Sequence, residues 1–513
     1  MIRPLTENDR RPVGQAWLRR ELGLKVPPPC VESYLVAGAR RTEVDGSRII
    51  ELYPRQYATG ESPASHLRFM LRHEPADLGV LVASLEAIDP GELERWVRAE
   101  PTGAYSRRIW FFYETFTGHT LDLEDTRSGN YVDALDATRH VTGGRRRSRR
   151  HRVVDNLLGG PGLCPSVRRT PRLVERMMSR MDEEAHALVR RYDPLVLARA
   201  VSYLYTKETR SSFAIEGETP TASRTERFVS ALKAAPTIDP ADKAALMRLQ
   251  RTIVDPRYGA ADWRDTQSFV GMTIGGYREQ VDFICPRPAD VPELMRSWMV
   301  LTRRMIESEV HPVVAAAVCA FSFVFIHPFE DGNGRIHRFL MHCILAKRGY
   351  TPPSVIFPLS AAILRDQRSY DEVLESFSRP LFDFIDWSWT PEREIEVRND
   401  TGRLYRYFDA TAFAEYLFDR VWDTVHHDLD EELSFIALFD RALRAVREIV
   451  DMPDRRASLL VRLCMQNRGR LSARKRKQFR ELRGEEIAAM EAAVQDAISR
   501  PFVPRGHQDE MNE

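Results

Sequence analysis

Apolar positions recur at helical spacing through most of the second half of the chain and alternate at strand spacing only in short stretches. Residues 171–191 and 194–212 read as long amphipathic helices, and 288–307 and 312–326 as further helices. Residues 335–347 read as a helix closed by Gly349, the residue type favoured just past a helix end. Helices dominate from about 220 to 390 and are interrupted once, at 266–286, where β-formers alternate around Gly275-Gly276 as in a hairpin. Residues 400–513 read as helical and charged. The first 140 residues are mixed: 48–53, after Asp45-Gly46, reads as a hairpin arm, and 64–72, 76–88 and 90–99 as short helices. No internal repeat is visible. The pattern predicts a mainly α fold with a mixed N-terminal region that packs on, or recruits something to, the rest.

A length of 513 residues suggests about three domains. With 43% hydrophobic and 29% charged residues, disorder, collagen and coiled coil are excluded as descriptions of the whole. Lys+Arg number 75 and Asp+Glu 74, so bulk charge does not drive binding to nucleic acid or membrane, although local patches stay open. Six scattered cysteines without a C-x-x-C pair fit a reducing cytoplasmic setting. The N-terminus lacks the apolar core of a signal peptide, and the longest apolar run, 313–326, is short for a span of ~20 residues, so no membrane is expected. Two basic runs stand out. The arginines of 145–152 read as a solvated loop or linker, with a phosphate or nucleic-acid contact as the sharper alternative, and the basic residues of 468–483 read as a solvated helix pair.

The chemistry concentrates in His327-Pro-Phe-Glu-Asp-Gly-Asn-Gly-Arg-Ile-His-Arg338. An apolar helix ends at a proline, a glycine-containing loop follows, and a new helix starts near Arg335. Loop amides leading into a helix N-terminus form an anion site. Arg335 and Arg338 stand three apart, share a helix face and can grip further phosphates. Asp331 suits Mg2+, which prefers one carboxylate plus phosphate oxygens. His327 can accept a proton at neutral pH. Base, metal carboxylate, amide nest and arginines are the parts of a nucleotide phosphoryl-type transfer site. The plainer alternative is an ordinary helix–loop–helix turn with a surface histidine. His337 and His342, five apart, have poor ligand spacing and read as packing or surface residues.

The segment resembles the Fic (fido) signature HxFx(D/E)GNGRxxR at every fixed position. Arg264 to Gly271, then Phe283-Ile-Cys-Pro286 and Val291-Pro-Glu-Leu-Met295, resemble the flap of that family, with Cys285 in place of a common proline. The resemblance implies a Fic-type helical core over 190–390, with an inhibitory helix at about 197–217, a flap at 266–286 and a catalytic loop at 327–338. Around it would lie a mixed region at 1–145 and a helical region at 400–513, in which a winged-helix-like form stays open. It implies protein AMPylation: a target hydroxyl attacks the α-phosphate of Mg-ATP. His327 would be the base. Asp331 would hold the metal. Gly332, Asn333, Gly334, Arg335 and Arg338 would bind phosphates, and the flap would hold the target by strand addition. Ser268, Phe269, Val270, Gly271 and Tyr370 fall where the family contacts the nucleoside. Gly334, where phosphorylating relatives usually carry Lys, favours AMP transfer.

Ser212-Phe-Ala-Ile-Glu216-Gly217 also resembles the family's inhibitory pattern (S/T)xxxE(G/N), which implies a Glu216–Arg335 ion pair in the nucleotide site. The expected function is a self-inhibited, cytoplasmic protein adenylyltransferase using ATP and Mg2+ on a target protein. Two rivals remain: a deAMPylase in which Glu216 activates water, and a DNA-binding regulator with a vestigial core. Self-modification, a homodimer and nucleic-acid binding stay open.

Overall fold

The computed structural model describes residues 10–46, 48–274 and 278–499. In chain order the first elements are β1 (Arg11–Val13), α1 (Gln15–Glu21), β2 (Val31–Val36), β3 (Arg41–Asp45), β4 (Arg48–Pro54), α2 (Pro63–His73), α3 (Leu78–Ala87), α4 (Pro90–Ala99) and α5 (Ala104–Thr117). The strands form one sheet in the order β1-β2-β4-β3, with β2 and β4 parallel and the other pairs antiparallel. The expected hairpin arm is β4, paired to β3. Ser62, Asp77 and Asp89 cap α2, α3 and α4 through their side chains, each accepting a first-turn N–H. Helix α5 was not expected. Its buried Arg107 and Arg108 break the apolar pattern, and both are satisfied by carbonyls of 130–152.

Next come β5 (Val132–Asp133), β6 (Arg146–Ser148), β7 (Val153–Asp155), α6 (Pro171–Met178), α7 (Met181–Arg190) and α8 (Pro194–Ile215). The arginine run is no linker. It contains strand β6, and Arg145, Arg150 and Arg152 are tied to the protein while Arg146, Arg147 and Arg149 stay exposed. Glu114 accepts from both Arg150 and His151, Arg145 pairs with Asp133, and Arg152 donates to the carbonyls of Thr126, Arg127 and Gly129. The single helix expected at 171–191 is two. Ser179 turns extended, its hydroxyl donates to the Arg176 carbonyl, and α6 stops there.

The remaining elements are α9 (Ala222–Ala234), α10 (Lys243–Ile253), β8 (Phe269–Ile274), β9 (Arg278–Ile284), α11 (Val291–Glu307), α12 (Pro312–Ile326), α13 (Asn333–Lys347), α14 (Leu359–Arg365), α15 (Gln367–Leu381), β10 (Trp387–Trp389), β11 (Ile395–Val397), α16 (Thr411–Asp423), α17 (Leu429–Ile449), α18 (Asp454–Met465), α19 (Ala473–Arg476) and α20 (Gly484–Ser499). The hairpin expected at 266–286 is β8–β9, and Gly275-Gly276 lies outside the described residues. The described residues of 400–499 form helices and helical turns only, without the strands of a wing. No helix among the described residues is long and apolar enough to cross a membrane. None of the six cysteines is in a disulfide.

The chain does not divide in sequence order. Two compact units form from interleaved stretches: 1–179, 221–348 and 366–419 in one, and 180–220, 349–365 and 420–513 in the other. In the first unit the N-terminal region packs on the central helices. The main chain of 164–168 pairs with that of 406–410, and Arg304 on α11 donates to the Gly159 carbonyl at 2.9 Å. The centre is α12, apolar on all sides and buried from Val313 to Phe323, which marks a core helix rather than an amphipathic one. It pairs with α13 and α11, and the Trp298 indole donates to the Cys319 carbonyl at 2.8 Å. In the second unit α8 packs against α14 and α17. Buried Glu208 accepts the Ser360 N–H and hydroxyl, and Lys207 pairs with Asp428 and Glu432.

Candidate functional site

The loop from His327 to Gly332 joins α12 to α13 in the first unit. His327 closes α12 in the left-handed conformation, φ 51° and ψ 58°, while its N–H still reaches the Phe323 carbonyl at 3.0 Å. A side-chain-bearing residue there costs about 1–3 kcal/mol of backbone strain. The strain turns the chain out of the helix, and Pro328 prevents its continuation.

Arg264 holds the turned loop. This residue is 4% exposed, and burial pulls its proton affinity below the ordinary arginine value. Its Nε donates to the His327 carbonyl at 2.7 Å, Nη1 to Thr266 at 2.7 Å and Nη2 to Pro286 at 2.6 Å, while its main-chain N–H donates to Pro328 at 2.9 Å. Thr266 and Pro286 are the two ends of the hairpin segment. One guanidinium therefore fixes the 327–332 loop to the base of the hairpin, with its lost hydration replaced by carbonyl acceptors.

The His327 imidazole is half-buried, and its Nδ1 lies 3.3 Å from the Val324 carbonyl. A carbonyl only accepts, so the tautomer that makes this contact carries its proton on Nδ1 and makes Nε2 the basic nitrogen. That is the form required to take a proton from an alcohol.

The far end of the loop is an amide nest. Gly332, with φ 94°, is the N-cap of α13, and an added Cβ would meet Val254 at 3.0 Å. The first intrahelical bond is Ile336 N–H to Gly332 at 2.9 Å, so the amides of Asn333, Gly334 and Arg335 precede the helical ladder and face outward along the dipole. The Asn333 side chain is committed elsewhere. It accepts the Phe329 N–H at 3.0 Å and donates to the Phe329 carbonyl at 2.7 Å, closing the loop, so only its backbone amide faces the nest. From α10, the buried Gln250 donates to the Asp331 carbonyl at 3.2 Å and to Tyr258 at 3.1 Å. Phe329 seats the loop in the core against Trp263.

Arg335 and Arg338 are 2% and 1% exposed and stand on the same face of α13. The Arg335 guanidinium donates to Asp331 Oδ1 at 2.5 Å, and that carboxylate is 45% exposed. A lone, half-exposed carboxylate beside an anion nest fits Mg2+ bound chiefly through phosphate oxygens, not an all-protein metal cage, and no cluster of three metal-ligating side chains occurs among the described residues.

The hairpin places Ser268 just before β8, where its carbonyl accepts the Cys285 N–H at 3.1 Å. Val270 and Met272 are 43% and 58% exposed along β8. At Gly271 the partner strand approaches so closely that an added Cβ would collide with the Gln280 carbonyl. Phe269 meets Trp389 of β10 edge-on at 5.5 Å. Tyr370 on α15 is 5% exposed, with its ring 6.2 Å from His337 and 6.0 Å from Tyr416. His337 is a packing residue, as expected, with Nδ1 2.8 Å from the Ala320 carbonyl. Ser212 and Glu216 stand at the end of α8 in the second unit, where Gly217 takes φ 70° just past the helix.

The structure thus gathers His327, Asp331–Arg335, Arg338 and the hairpin in one unit. Sequence reasoning missed the positioning roles of Arg264, Gln250 and Trp263. Arg264 was visible only as part of a resembling segment, and Gln250 carries no local signal because its partner lies 81 residues away.

Comparison with known proteins follows this geometry. The Fic/DOC family profile matches residues 240–345. A protein adenylyltransferase Fic from Nematostella vectensis is 26% identical over 266 residues, covering 45% of this chain and 58% of that protein. One of the same name from Drosophila mojavensis is 29% identical over 215 residues, 36% of this chain and 40% of its own. One from Drosophila melanogaster is 36% identical over 116 residues, 22% and 21% respectively. The chain therefore matches less than two thirds of the length of these curated relatives. A crystal structure of a Fic family protein from Desulfovibrio desulfuricans G20 matches with a TM-score of 0.36 and 21% identity over 54% of this chain and 80% of that one.

Proposed function

The chain carries a Fic/DOC family domain over residues 240–345, and on that premise we propose that it is a protein adenylyltransferase, moving AMP from Mg-ATP to a hydroxyl of a target protein. The relatives that share the domain are named protein adenylyltransferase Fic. The observation that carries the reading is the pairing of a basic imidazole nitrogen at one end of the 327–332 loop with the α13 amide nest at the other.

In this reading the amides of Asn333, Gly334 and Arg335 receive the phosphate chain, and Arg335 and Arg338 hold its outer oxygens. Ser268–Gly271 and Tyr370 bracket the nucleoside. Asp331 holds Mg2+, which when bound neutralises phosphate charge. Nε2 of His327 takes the proton of the target hydroxyl. The oxygen bonds to the α-phosphorus, the bond from that phosphorus to the bridging oxygen breaks, and pyrophosphate leaves with the electron pair. The exposed β8 strand aligns the target segment by main-chain pairing.

The same reading, through the resemblance of Ser212–Gly217 to the family's inhibitory pattern, makes α8 an inhibitory helix whose Glu216 restrains productive ATP binding. The test is to incubate the Glu216→Gly protein with ATP and a lysate, following pyrophosphate release and the AMP mass increment on tryptic peptides. Release with peptide adducts is expected. A released protein that forms neither contradicts the reading.

A further inference from the structure

The chain has two basic runs, and the fold treats them differently. In 145–152 the guanidiniums of Arg145, Arg150 and Arg152 are spent on Asp133, Glu114, Asp125 and main-chain carbonyls, and Arg147 lies over the Tyr131 ring, while Arg146 and Arg149 are exposed. In 468–480 the side chains of Arg468, Arg470, Arg474, Lys475, Lys477 and Arg480 are exposed and pair with no acidic side chain among the described residues. No Asp or Glu occurs between Asp454 and Glu481. The chain as a whole has a net charge of +1, so this is a local concentration and not a bulk property.

The segment is also held in place. Leu471 and Phe479 are 5% and 1% exposed and sit in the hydrophobic cluster that includes α17, α18 and α20. Glu491 of α20 accepts the Leu471 N–H at 2.8 Å and the Arg476 guanidinium at 2.6 Å. Arg456 of α18 lies 4.5 Å over the Phe479 ring and donates to the Gln478 carbonyl at 2.5 Å. The cations between these pins project from a fixed backbone, which lowers the ordering cost of engaging a multivalent anion.

We infer that this surface around α19 binds the phosphate backbone of double-stranded nucleic acid, as a second site separate from the nucleotide loop. A membrane surface fits less well. Insertion needs exposed apolar side chains, and no large hydrophobic residue between Val450 and Ala497 is exposed. Single strands fit less well too, since they are held by stacking on exposed aromatics and Phe479, the segment's one aromatic, is buried. The exposed polar groups beside the cations, Asn467, Ser472 and Gln478, are hydrogen-bonding types common at phosphates.

The test is fluorescence anisotropy of a labelled mixed-sequence DNA duplex with the full chain. Six phosphate contacts give a slope of log K on log salt of about −5, or roughly a thousandfold loss between about 50 and 200 mM salt. The R474A/K475A/K477A/R480A variant should lower the slope to about −2 with unchanged melting, because these residues are exposed and unpaired. R146A/R149A and His327→Ala should bind like the unaltered chain, which keeps this site's fate apart from that of AMP transfer. Four results overturn the inference: no duplex binding at low salt, binding unchanged in the fourfold variant, tighter binding to the single strand, or binding to phosphatidylserine vesicles in place of duplex.

Discussion

The Nε of Arg264 donates to the main-chain carbonyl of His327 at 2.7 Å, across 63 residues of sequence. The same guanidinium holds both ends of the hairpin segment, so the loop that would do the chemistry and the hairpin that would present the target share one anchor. Arg264→Lys keeps the charge but cannot reach three carbonyls in a plane. It should lower the rate of AMP transfer by at least tenfold while leaving ATP affinity within a few fold, since the amide nest at Gly332–Arg335 does not touch Arg264. Arg264→Ala should in addition destabilise the fold by about 2–4 kcal/mol, because three buried carbonyls lose their donor. Denaturant titration and single-turnover labelling check the two effects.

The left-handed φ of His327 separates its chemical from its structural role. Glycine adopts that conformation without penalty, whereas alanine costs about 1–2 kcal/mol. His327→Gly should therefore abolish AMP transfer with stability equal to or above that of His327→Ala. Urea melts of the two variants check this. Gly melting below Ala would show that the left-handed backbone at 327 does not limit the stability of the loop.

Glu74 gives a pH dependence unrelated to catalysis. Burial pushes its carboxyl up to about 8 from 4.5, despite the Gln15 N–H it accepts at 2.9 Å. A folded-state value above the unfolded one means that the native state holds a proton the unfolded chain has lost. Stability is then fullest below about 4.5 and falls as pH rises toward about 8, flattening above that. Glu74→Gln should remove this contribution to the decline. Melting temperatures at pH 5 and 8 check it, and an unchanged slope in the variant argues that Glu74 is ionised in the fold.

Much of the site was legible because its signals are local. The apolar run of α12 ends at Pro328, α13 ends before Gly349 at φ 66°, and both helices fall where the pattern put them. What stayed hidden depends on distant partners. The arginines of 145–152 read as a solvated loop or linker, and nothing local shows that α5 brings Glu114 to Arg150. Helix α5 itself was masked by Arg107 and Arg108, polar in sequence yet buried on carbonyls. The interleaving of the two units follows from α8 packing on α14 and α17, which no spacing within α8 announces.

Glu216 tests the control of the site. Glu216→Gly should raise AMP incorporation at least tenfold over the unaltered chain at the same ATP concentration, and Glu216→Asp should give a smaller rise. Scintillation counting of acid-precipitated protein checks this ordering, and equal incorporation in all three would remove α8 from regulation.

The most direct measurement is the Glu216→Gly chain with ATP labelled in parallel at the α- or γ-phosphate and a cell lysate as acceptor. The account predicts protein-bound label from the α position, none from the γ position, and loss of the α label when His327→Ala is added. Transfer of the γ label, or α transfer that survives without the imidazole, would contradict it.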